Sequence, residues 1–459
     1  MVLDGKPCPA CTEDIKLEQD IRDLEQMIEK SHNRRRALRT VMNENHDHLI
    51  HKFPPEIASH IFIQCAPLSV SRYEEDRNTP LLLGSVCRRW RQLAWATPQL
   101  GSSIIVGPRK VPLELIAEWL ERSASLPLTI QFFGYSGQHD EVSQILNKHS
   151  ARWYDIHLDI PPTSFPFFDG SSQENILHRL VLRCFSSPMI HDSDSPKFSM
   201  KSQPRPTNLT LLRLALPYVD IIWTNLTVAS VFWVGDCVEL IRRAPLLRTL
   251  RMRDIHSHAS SFPLPNIRIV HHHLHSLELS EMYNQDAAIG FLDSVCFPSL
   301  EQWIYRHHVF FVEHMISFIE WSPRLKVLKI SIDNIPVHQL TQLLGRLSLE
   351  HLELHSSVGA GYHQIIEMLC ASGESPLFLP HMQSLECICE ASGSFPCDSL
   401  PQICVSSRWR SLRVKVNVFD GWGDITDESA KLLRELIDKG FDLSIVDEMD
   451  ALQEDKWYY

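Results

Sequence analysis

The side chains of this sequence that could bind a metal ion are a histidine cluster and a cysteine pair. Four of the five residues from His271 to His275 are histidines, and Cys8 and Cys11 form a C-x-x-C pair. A structural zinc site needs about four ligands, commonly two such pairs at a defined spacing. No cysteine or acidic residue accompanies the histidines at that spacing, and no second pair accompanies the cysteines. We therefore expect no metal and no cofactor, and we expect the histidines to be solvated at the edge of a strand.

The residue patterns of common enzyme classes are also missing from the sequence. It contains no phosphate-binding G-x-x-x-x-G-K-S/T, no nucleophile elbow G-x-S-x-G and no zinc-protease H-E-x-x-H. Its 17 glycines are few for phosphate-binding loops. The sequence predicts no catalytic residue, and therefore a protein that is not itself an enzyme.

Composition and charge limit the partners and the compartment. The chain has 459 residues and a net charge of −12, which argues against nucleic-acid binding because that function requires a basic face. No apolar run approaches the ~18–20 residues of a membrane span. The opening residues, MVLDGKPCPACTEDIK, contain acids and prolines in place of a signal-peptide core. Twelve cysteines are sparse for this length. We therefore expect reduced thiols in a cytoplasmic or nuclear protein that binds neither nucleic acid nor a membrane.

A first apolar helix is predicted just after Phe53. Pro54 and Pro55 fit a first helical turn, where a missing N–H costs nothing, and Glu56 suits the positive end of the helix. The apolar residues that recur at helical spacing are Ile57, Ile61, Phe62 and Cys65.

A second apolar helix is predicted to begin with Thr79 as N-cap and Pro80 at its first position. Its apolar residues cover more of the circumference than one buried face needs: Leu82, Leu83, Val86, Cys87, Trp90, Leu93 and Ala94. A unit of about fifty residues is near the lower limit for burying its own core, so surplus apolar surface indicates a binding partner.

This helical segment resembles an F-box. Phe53–Ile57, F-P-P-E-I, matches the family's opening L-P-x-E-I/V, with Phe in place of Leu. Val86–Trp90, V-C-R-R-W, matches the family's V-C-K/R-x-W, and a polar insert at 69–78 separates the two motifs. The resemblance implies docking onto the Skp-type adaptor of a cullin–RING ubiquitin ligase. The adaptor contacts it implies are Phe53, Pro54, Ile57, Ile61, Val86, Cys87 and Trp90. The alternative is a helical hairpin buried in the protein's own core.

A heptad pattern precedes the F-box-like segment. It starts at Asp14, and Ser31 and Arg35 interrupt its middle. The apolar a and d positions are Leu17, Ile21, Leu24, Ile28, Leu38 and Met42. This pattern predicts a short coiled coil over residues 13–46, a length that is marginal for an isolated helix. Such a helix pairs with another copy or folds back on its own chain, and both alternatives remain open.

The remainder of the chain repeats the pattern L-x-x-L-x-L. Clear copies are Leu177/Leu180/Leu182, Leu209/Leu212/Leu214, Leu247/Leu250/Met252, Leu274/Leu277/Leu279, Leu325/Leu328/Ile330 and Leu349/Leu352/Leu354. Weaker copies are Trp223/Leu226/Val228, Leu300/Trp303/Tyr305, Met382/Leu385/Cys387 and Trp409/Leu412/Val414. The central residues from Leu250 to Leu352 step by 27, 26, 25 and 24 residues. The last two positions of each triplet lie two apart, hence on one face of a short strand. The charged residues between them are predicted to face the other way: Arg251, Glu278, Lys329 and Glu353.

Amphipathic helices are predicted between these strands, at Cys237–Arg243, Ala287–Val295, Val312–Glu320, Val337–Leu347 and Tyr362–Cys370. A last helix, Glu428–Lys439, and a last strand, Leu443–Val446, follow them. Two segments rich in Pro, Ser and Asp, Pro161–Ser172 and Ser186–Pro206, are predicted to be exposed loops. Strands and helices alternating at this period stack into a curved solenoid. The region resembles the leucine-rich repeats that often follow an F-box, with variable repeat lengths that favour an irregular arc.

The predicted fold class is therefore α/β, with N-terminal helices followed by an irregular leucine-rich-repeat-like solenoid. The predicted organisation is disorder over 1–12, a coiled coil over 13–46, an F-box-like domain over 49–105, a linking strand–helix–strand segment over 106–160, repeats over 161–446 and an acidic tail over 447–459.

The resemblances imply the substrate-recognition subunit of a Skp–cullin–F-box (SCF) ubiquitin ligase, whose repeats bind an unidentified target protein. The competing hypothesis is a non-ligase scaffold that uses the repeats and the coiled coil. Exposure of the apolar stripe formed by Ile57, Ile61 and Trp90 discriminates between them, because a stripe covered by the protein itself cannot bind an adaptor.

Overall fold

The structure is a computed structural model of the 459-residue chain. It describes residues 8–46, 52–65, 79–107, 112–134, 139–170, 174–184, 196–255, 262, 264–282, 285–307, 309–333, 335–357, 361–373, 378–390, 400–405, 413–418 and 427–447. The predicted polar insert at 69–78, the first seven residues and the acidic tail beyond Asp447 lie outside this set. The architecture is mixed α/β, with a long N-terminal helix and a large parallel sheet.

The chain divides into two compact units. The first comprises Met1–Ser103 with Glu118–Leu126, and the second comprises Ile104–Ala117 with Pro127–Tyr459. The helices of the described residues are α1 Pro9–His46, α2 Pro55–Gln64, α3 Thr79–Val86, α4 Arg88–Trp95, α5 Pro98–Gly101, α6 Leu113–Arg122, α7 His139–Asn147, α8 Val234–Arg243, α9 Gln285–Ser294, α10 Val312–Glu320, α11 Val337–Leu344, α12 Tyr362–Gly373, α13 Leu400–Val405 and α14 Asp427–Asp438.

The described strands are β1 Ser103–Val106, β2 Leu128–Phe133, β3 Trp153–Asp159, β4 Arg179–Arg183, β5 Phe198–Ser199, β6 Asn208–Leu212, β7 Val219–Asp220, β8 Val228–Val231, β9 Thr249–Ile255, β10 Ile269–Val270, β11 Ser276–Met282, β12 Val295–Cys296, β13 Gln302–Arg306, β14 Val327–Ser331, β15 His351–Ser356, β16 Ser384–Cys389, β17 Arg413–Val418 and β18 Leu443–Asp447. Fourteen of these described strands form one sheet in chain order, from β1 to β18, and the pairings from β2 onward are parallel. The short strands β5 and β7, and β10 and β12, pair separately.

The predicted repeat register is confirmed across the centre of the sheet. Leu250 pairs with Leu277, and Leu277 pairs with Trp303. Trp303 then pairs with Leu328, and Leu328 with Leu352. These side chains are fully buried, as are the residues two positions after each of them, so one face of every strand points into the core. Burying a large apolar side chain contributes ~1.5–3 kcal/mol, and this continuous row therefore accounts for much of the stability of the sheet.

The predicted helices between the strands are present with small shifts. Val312–Glu320 has the predicted bounds, and the helices predicted from Val337 and Tyr362 begin at those residues. The helix predicted from Cys237 begins three residues earlier, at Val234. Pro323 lies between α10 and the following strand, where it prevents the helix from continuing, whereas Pro298 lies between β12 and β13.

One predicted triplet is wrong by three residues. β6 buries Leu209 and Leu211, which pair with Leu180 and Leu182, whereas Leu212 is half exposed. Closely spaced leucines fit two alternative triplets in this stretch, and only the pairing with the preceding strand selects between them. The weak triplet predicted from Trp223 is displaced by three residues in the opposite direction, because β8 buries Ala229 and Val231.

The two predicted exposed loops are also wrong in part. Pro162–Phe167 forms a short 3₁₀ helix, and Phe165 is fully buried against Phe198 of the second segment, with ring centroids 6.3 Å apart. The proline and serine content correctly indicated irregular backbone. Phe165 and Phe198 are nevertheless buried in the core, because burial of their apolar rings is favourable.

The first helix begins at Pro9, before the predicted start at Asp14. Proline is well placed in a first helical turn, so the helix extends beyond the first apolar heptad position.

Candidate functional site

The first compact unit, called the helical unit from here on, has a small core where α2 contacts α4. Phe62 of α2 is fully buried together with Leu83, Ala94 and Leu100. The ring of Trp90 lies 4.8 Å from the ring of Phe62, centroid to centroid, and Trp90 remains half-buried. An aromatic pair at this distance is worth ~0.5–1.5 kcal/mol beyond its buried area, so Trp90 helps to hold the two helices together.

Local hydrogen bonds fix the ends of the helices that carry the two motifs. Pro54 caps α2 with an extended backbone, and Pro55 occupies the first turn as predicted. Cys87 ends α3 and caps α4, because its Sγ accepts the N–H of Trp90 at 3.4 Å. Arg91 Nε donates to the carbonyl of Gly84 at 2.8 Å, which joins α4 to α3. The V-C-R-R-W motif therefore builds a tight helix–helix corner.

The seven predicted adaptor contacts differ in exposure. Phe53, Ile57 and Val86 each expose 47% of their surface, and Pro54 is exposed. Ile61, Cys87 and Trp90 are half-buried. Cys87 therefore has a structural role as a helix cap, and Trp90 has one as a core contact. A match to the F-box motif does not distinguish these structural roles from adaptor binding.

Two further apolar side chains are exposed on this unit. Leu82 exposes 63% of its surface and Trp95 exposes 44%. The guanidinium carbon of Arg122 lies 4.0 Å from the centroid of the Trp95 ring, a cation–π contact. Arg122 also pairs with Glu118 one helical turn earlier. Sequence reasoning missed Arg122, because no local pattern links it to a tryptophan 27 residues earlier in the chain.

The second unit carries a polar face on the side of the strands opposite the leucines. Lys329, Glu353, Glu386 and Lys415 are register partners on adjacent strands. Glu353 is 2% exposed, and its carboxylate pairs with Lys329 and, at 3.7 Å, with Arg306. Lys415 Nζ lies 3.1 Å from Glu386 Oε1. Charges of both signs are thus matched across neighbouring strands.

A second ionic cluster lies on the same face. Glu278 is buried, and its two carboxylate oxygens lie 3.3 Å from Arg251 Nε and 3.0 Å from Arg253 Nη2. The sequence predicted that the charged residues between the leucines face away from the core, and they do, but the glutamates are buried under their basic neighbours.

One group on this face has metal-ligand chemistry. Ligand atoms of His351, Glu353 and Glu386 all lie within 4.8 Å of one another. Burial, then the nearby Lys329, lowers the pKa of His351, so its imidazole is neutral at pH 7. Both carboxylates, however, already accept from Lys329 or Lys415, and a metal ion would have to displace these ammonium groups. The geometry is that of an ionic network.

The histidines of the cluster lie in different environments. His271 is buried and its Nε2 donates to the carbonyl of Ala244 at 3.0 Å, which corrects the expectation that the cluster is solvated. Burial lowers the pKa of His271. His272 and His273 are exposed as expected. The backbone N–H of His271 also donates to the carbonyl of Cys296 at 2.9 Å, so contacts with distant residues of the chain hold this histidine in the core, and local composition does not encode them.

The C-x-x-C pair lies at the start of α1. Cys8 and Cys11 are exposed and their sulfurs are 3.3 Å apart. Hydrogen bonds from the backbone N–H and the thiol of Cys11 lower the pKa of Cys8. Among the described residues, neither cysteine belongs to a group of three or more metal-ligating side chains. Cys387 and Cys389 fill core space as predicted.

No protein-family model matches this chain, and a search of the curated proteins finds no similar sequence. Among the helices that the structure describes, none combines the length and the hydropathy needed to cross a bilayer.

Proposed function

We propose that this protein is the substrate-recognition subunit of an SCF-type ubiquitin ligase. In this proposal the helical unit is an F-box that docks on the Skp-type adaptor, and the second unit is a leucine-rich-repeat-like solenoid that binds a target protein. The chain itself breaks no bond. Its contribution is proximity, because a tethered target meets the ubiquitin-charged enzyme at a high effective concentration.

The observation that carries the docking half of the proposal is the exposure of the F-box-like residues. Phe53, Ile57 and Val86 are large apolar side chains that each leave almost half of their surface in water. They belong to the two motifs on which the resemblance rests. A protein that used this segment only as its own core would bury them, since each buried side chain of this size adds ~1.5–3 kcal/mol.

The order of the strands supports the solenoid half of the proposal. Consecutive strands pair in parallel, and helices follow most of them in the chain. Each repeat therefore buries its apolar side against the next one, as stacked repeats do. The polar face formed by the ionic network is the proposed target-binding surface. Its basic side chains Arg251, Arg306 and Lys415 are the accessible ones, and exposed charges give specificity and orient a partner.

The adaptor contact is tested by a pull-down of the full chain with a purified Skp-type adaptor. Ile57→Asp and Val86→Asp each place a carboxylate in the proposed interface without removing a core side chain, and each should reduce adaptor capture at least tenfold. Trp90 is a poorer choice because its ring packs on Phe62. Loss of capture by both variants with an unchanged circular dichroism spectrum supports the proposal.

The matched control is Leu246→Asp. Leu246 exposes 48% of its surface, like Ile57, but belongs to the second unit. This variant should capture the adaptor as the wild type does. Wild-type capture by the Ile57 and Val86 variants, or no capture by the wild type, would refute the docking role and favour a scaffold that acts without the ligase.

A further inference from the structure

The long helix α1 carries an exposed apolar stripe that is interrupted in its middle by Ser31 and Arg35. The side chains described for α1, up to residue 42, are all exposed. The apolar heptad residues each leave 54–57% of their surface in water: Leu17, Ile21, Leu24, Ile28, Leu38 and Met42. A helix of 38 residues with such a stripe is stabilised by pairing with another helix, since isolated helices in water are marginal.

The two halves of α1 have opposite charge. From Pro9 to Glu29 there are seven acidic and two basic side chains, a net charge of −5. From Lys30 to His46 there are five basic and one acidic, a net charge of +4 with neutral histidines. The sign changes between Glu29 and Lys30. Two parallel copies of α1 would therefore oppose like charges at both ends, whereas antiparallel copies would oppose unlike charges at both ends.

The heptad positions allow antiparallel registers that differ by one heptad, and the charge reversal of α1 selects among them. Antiparallel coiled coils place each a residue opposite a d residue of the other helix. In the register centred on the charge reversal, Leu17 faces Met42 of the second copy and Ile21 faces Leu38, so the two ends of the pair are apolar. The two central layers are mixed, with Leu24 facing Arg35 and Ile28 facing Ser31. The two-fold axis of this register lies between Glu29 and Lys30, which is where the charge changes sign.

The flanking e positions agree with this register. In the antiparallel pair Glu18 lies beside Arg39 of the second copy, and Glu25 lies beside His32, each twice by symmetry. In the single chain Glu18 is 3.8 Å from Arg22, an exposed pair that contributes little and is free to rearrange.

A parallel pair would instead be repulsive at its flanks. There each g residue meets the e residue five positions later in the other helix. Glu13 would meet Glu18, and Arg34 would meet Arg39, each twice. Like charges that face each other at e and g positions disfavour the orientation that brings them together, which here is the parallel one.

We infer that α1 is a homodimerisation helix that binds the α1 helix of a second copy of this chain in antiparallel orientation, centred between Glu29 and Lys30. The inference does not depend on the F-box assignment, because it rests on the apolar stripe and the charge pattern of α1 alone.

The test measures the dimer dissociation constant of the full chain by sedimentation equilibrium. Glu18→Arg and Arg39→Glu each replace two attractive contacts by two repulsive ones, so each should weaken the dimer roughly tenfold or more. The double variant E18R/R39E restores opposite charges and should return to within about threefold of the wild type. In a parallel dimer the two single variants would relieve repulsion and bind more tightly, so the sign of the effect distinguishes the orientations.

The control is Asp23→Arg, an equal reversal at an outer heptad position of the same helix. It should leave the dissociation constant within about threefold of the wild-type value. A wild-type chain that stays monomeric, a dimer that the single variants tighten, or a dimer that neither variant affects would each overturn the inference.

Discussion

At the scale of single residues, the polar face of the sheet holds buried carboxylates by ion pairs. Glu353 is almost fully buried between Lys329 and Arg306, whereas Glu350 pairs with Lys326 in water at 2.9 Å. Removing one partner of a buried pair leaves an uncompensated charge, while an exposed pair exchanges its partner for water at little cost.

The first residue-scale prediction compares these two glutamates. Glu353→Gln should lower the free energy of unfolding of the second unit by about 2 kcal/mol. This loss is smaller than that for breaking a fully buried ion pair, because Lys329 keeps some contact with water. Glu350→Gln should cost much less. Urea denaturation of both variants checks this, and equal losses would show that the buried network does not stabilise the sheet.

Asp236 is a buried carboxyl group in the first turn of α8. Burial raises the pKa of Asp236 to about 7, although the N–H of Leu216 donates to its Oδ2 at 2.9 Å. The native state therefore keeps a proton that the unfolded chain releases near pH 4, and this group's stabilisation is lost as the pH rises through 7. In the Asp236→Asn variant, the side chain at this position carries no charge at any pH.

As the pH rises from 5 to 8, the wild type should therefore lose free energy of unfolding relative to Asp236→Asn, on the order of 2 kcal/mol. Thermal unfolding at both pH values measures this shift. A pH-independent difference would contradict the assigned pKa.

At the scale of elements, the position of β6 separates two neighbouring leucines. Leu211 is fully buried on the core face, whereas Leu212 is half exposed on the other face. Leu211→Ala should cost about 3 kcal/mol through lost burial and a residual cavity, and Leu212→Ala less than about 1 kcal/mol. Denaturant titrations check this, and the reverse order would restore the triplet predicted from Leu212.

The same strand shows how much of the fold the sequence predicts. From Leu250 to Leu352 the triplets are evenly spaced, and their register is confirmed strand by strand. Between Leu180 and Leu250 the spacing is irregular, and two triplets are displaced because pairing with a neighbouring strand, not local spacing, selects the buried residues. Phe165 is a further example, since its burial against Phe198 depends on a contact across 33 residues of chain.

The candidate docking site is predictable from sequence to a lesser degree. The motifs identify Phe53, Ile57 and Val86, which are exposed. They do not reveal that Cys87 caps α4, or that Arg122 packs on Trp95, because both depend on how the helices meet.

At the scale of the whole molecule, separate parts of the chain are proposed to make separate interactions. The F-box-like unit is proposed to bind an adaptor, the polar face of the sheet a target, and α1 a second copy of the chain. A dimer would carry two docking surfaces and two target surfaces. This arrangement raises the avidity for a target with two recognition sites, provided that the geometry allows both to engage.

The most direct measurement of the central claim is hydrogen exchange of the full chain with and without a purified Skp-type adaptor. The adaptor should slow amide exchange in α2 and at the junction of α3 and α4, around Ile57 and Val86, and should leave exchange in the strands of the sheet unchanged. An adaptor that fails to bind, or that protects only the sheet, would contradict the assignment of this unit as the docking module.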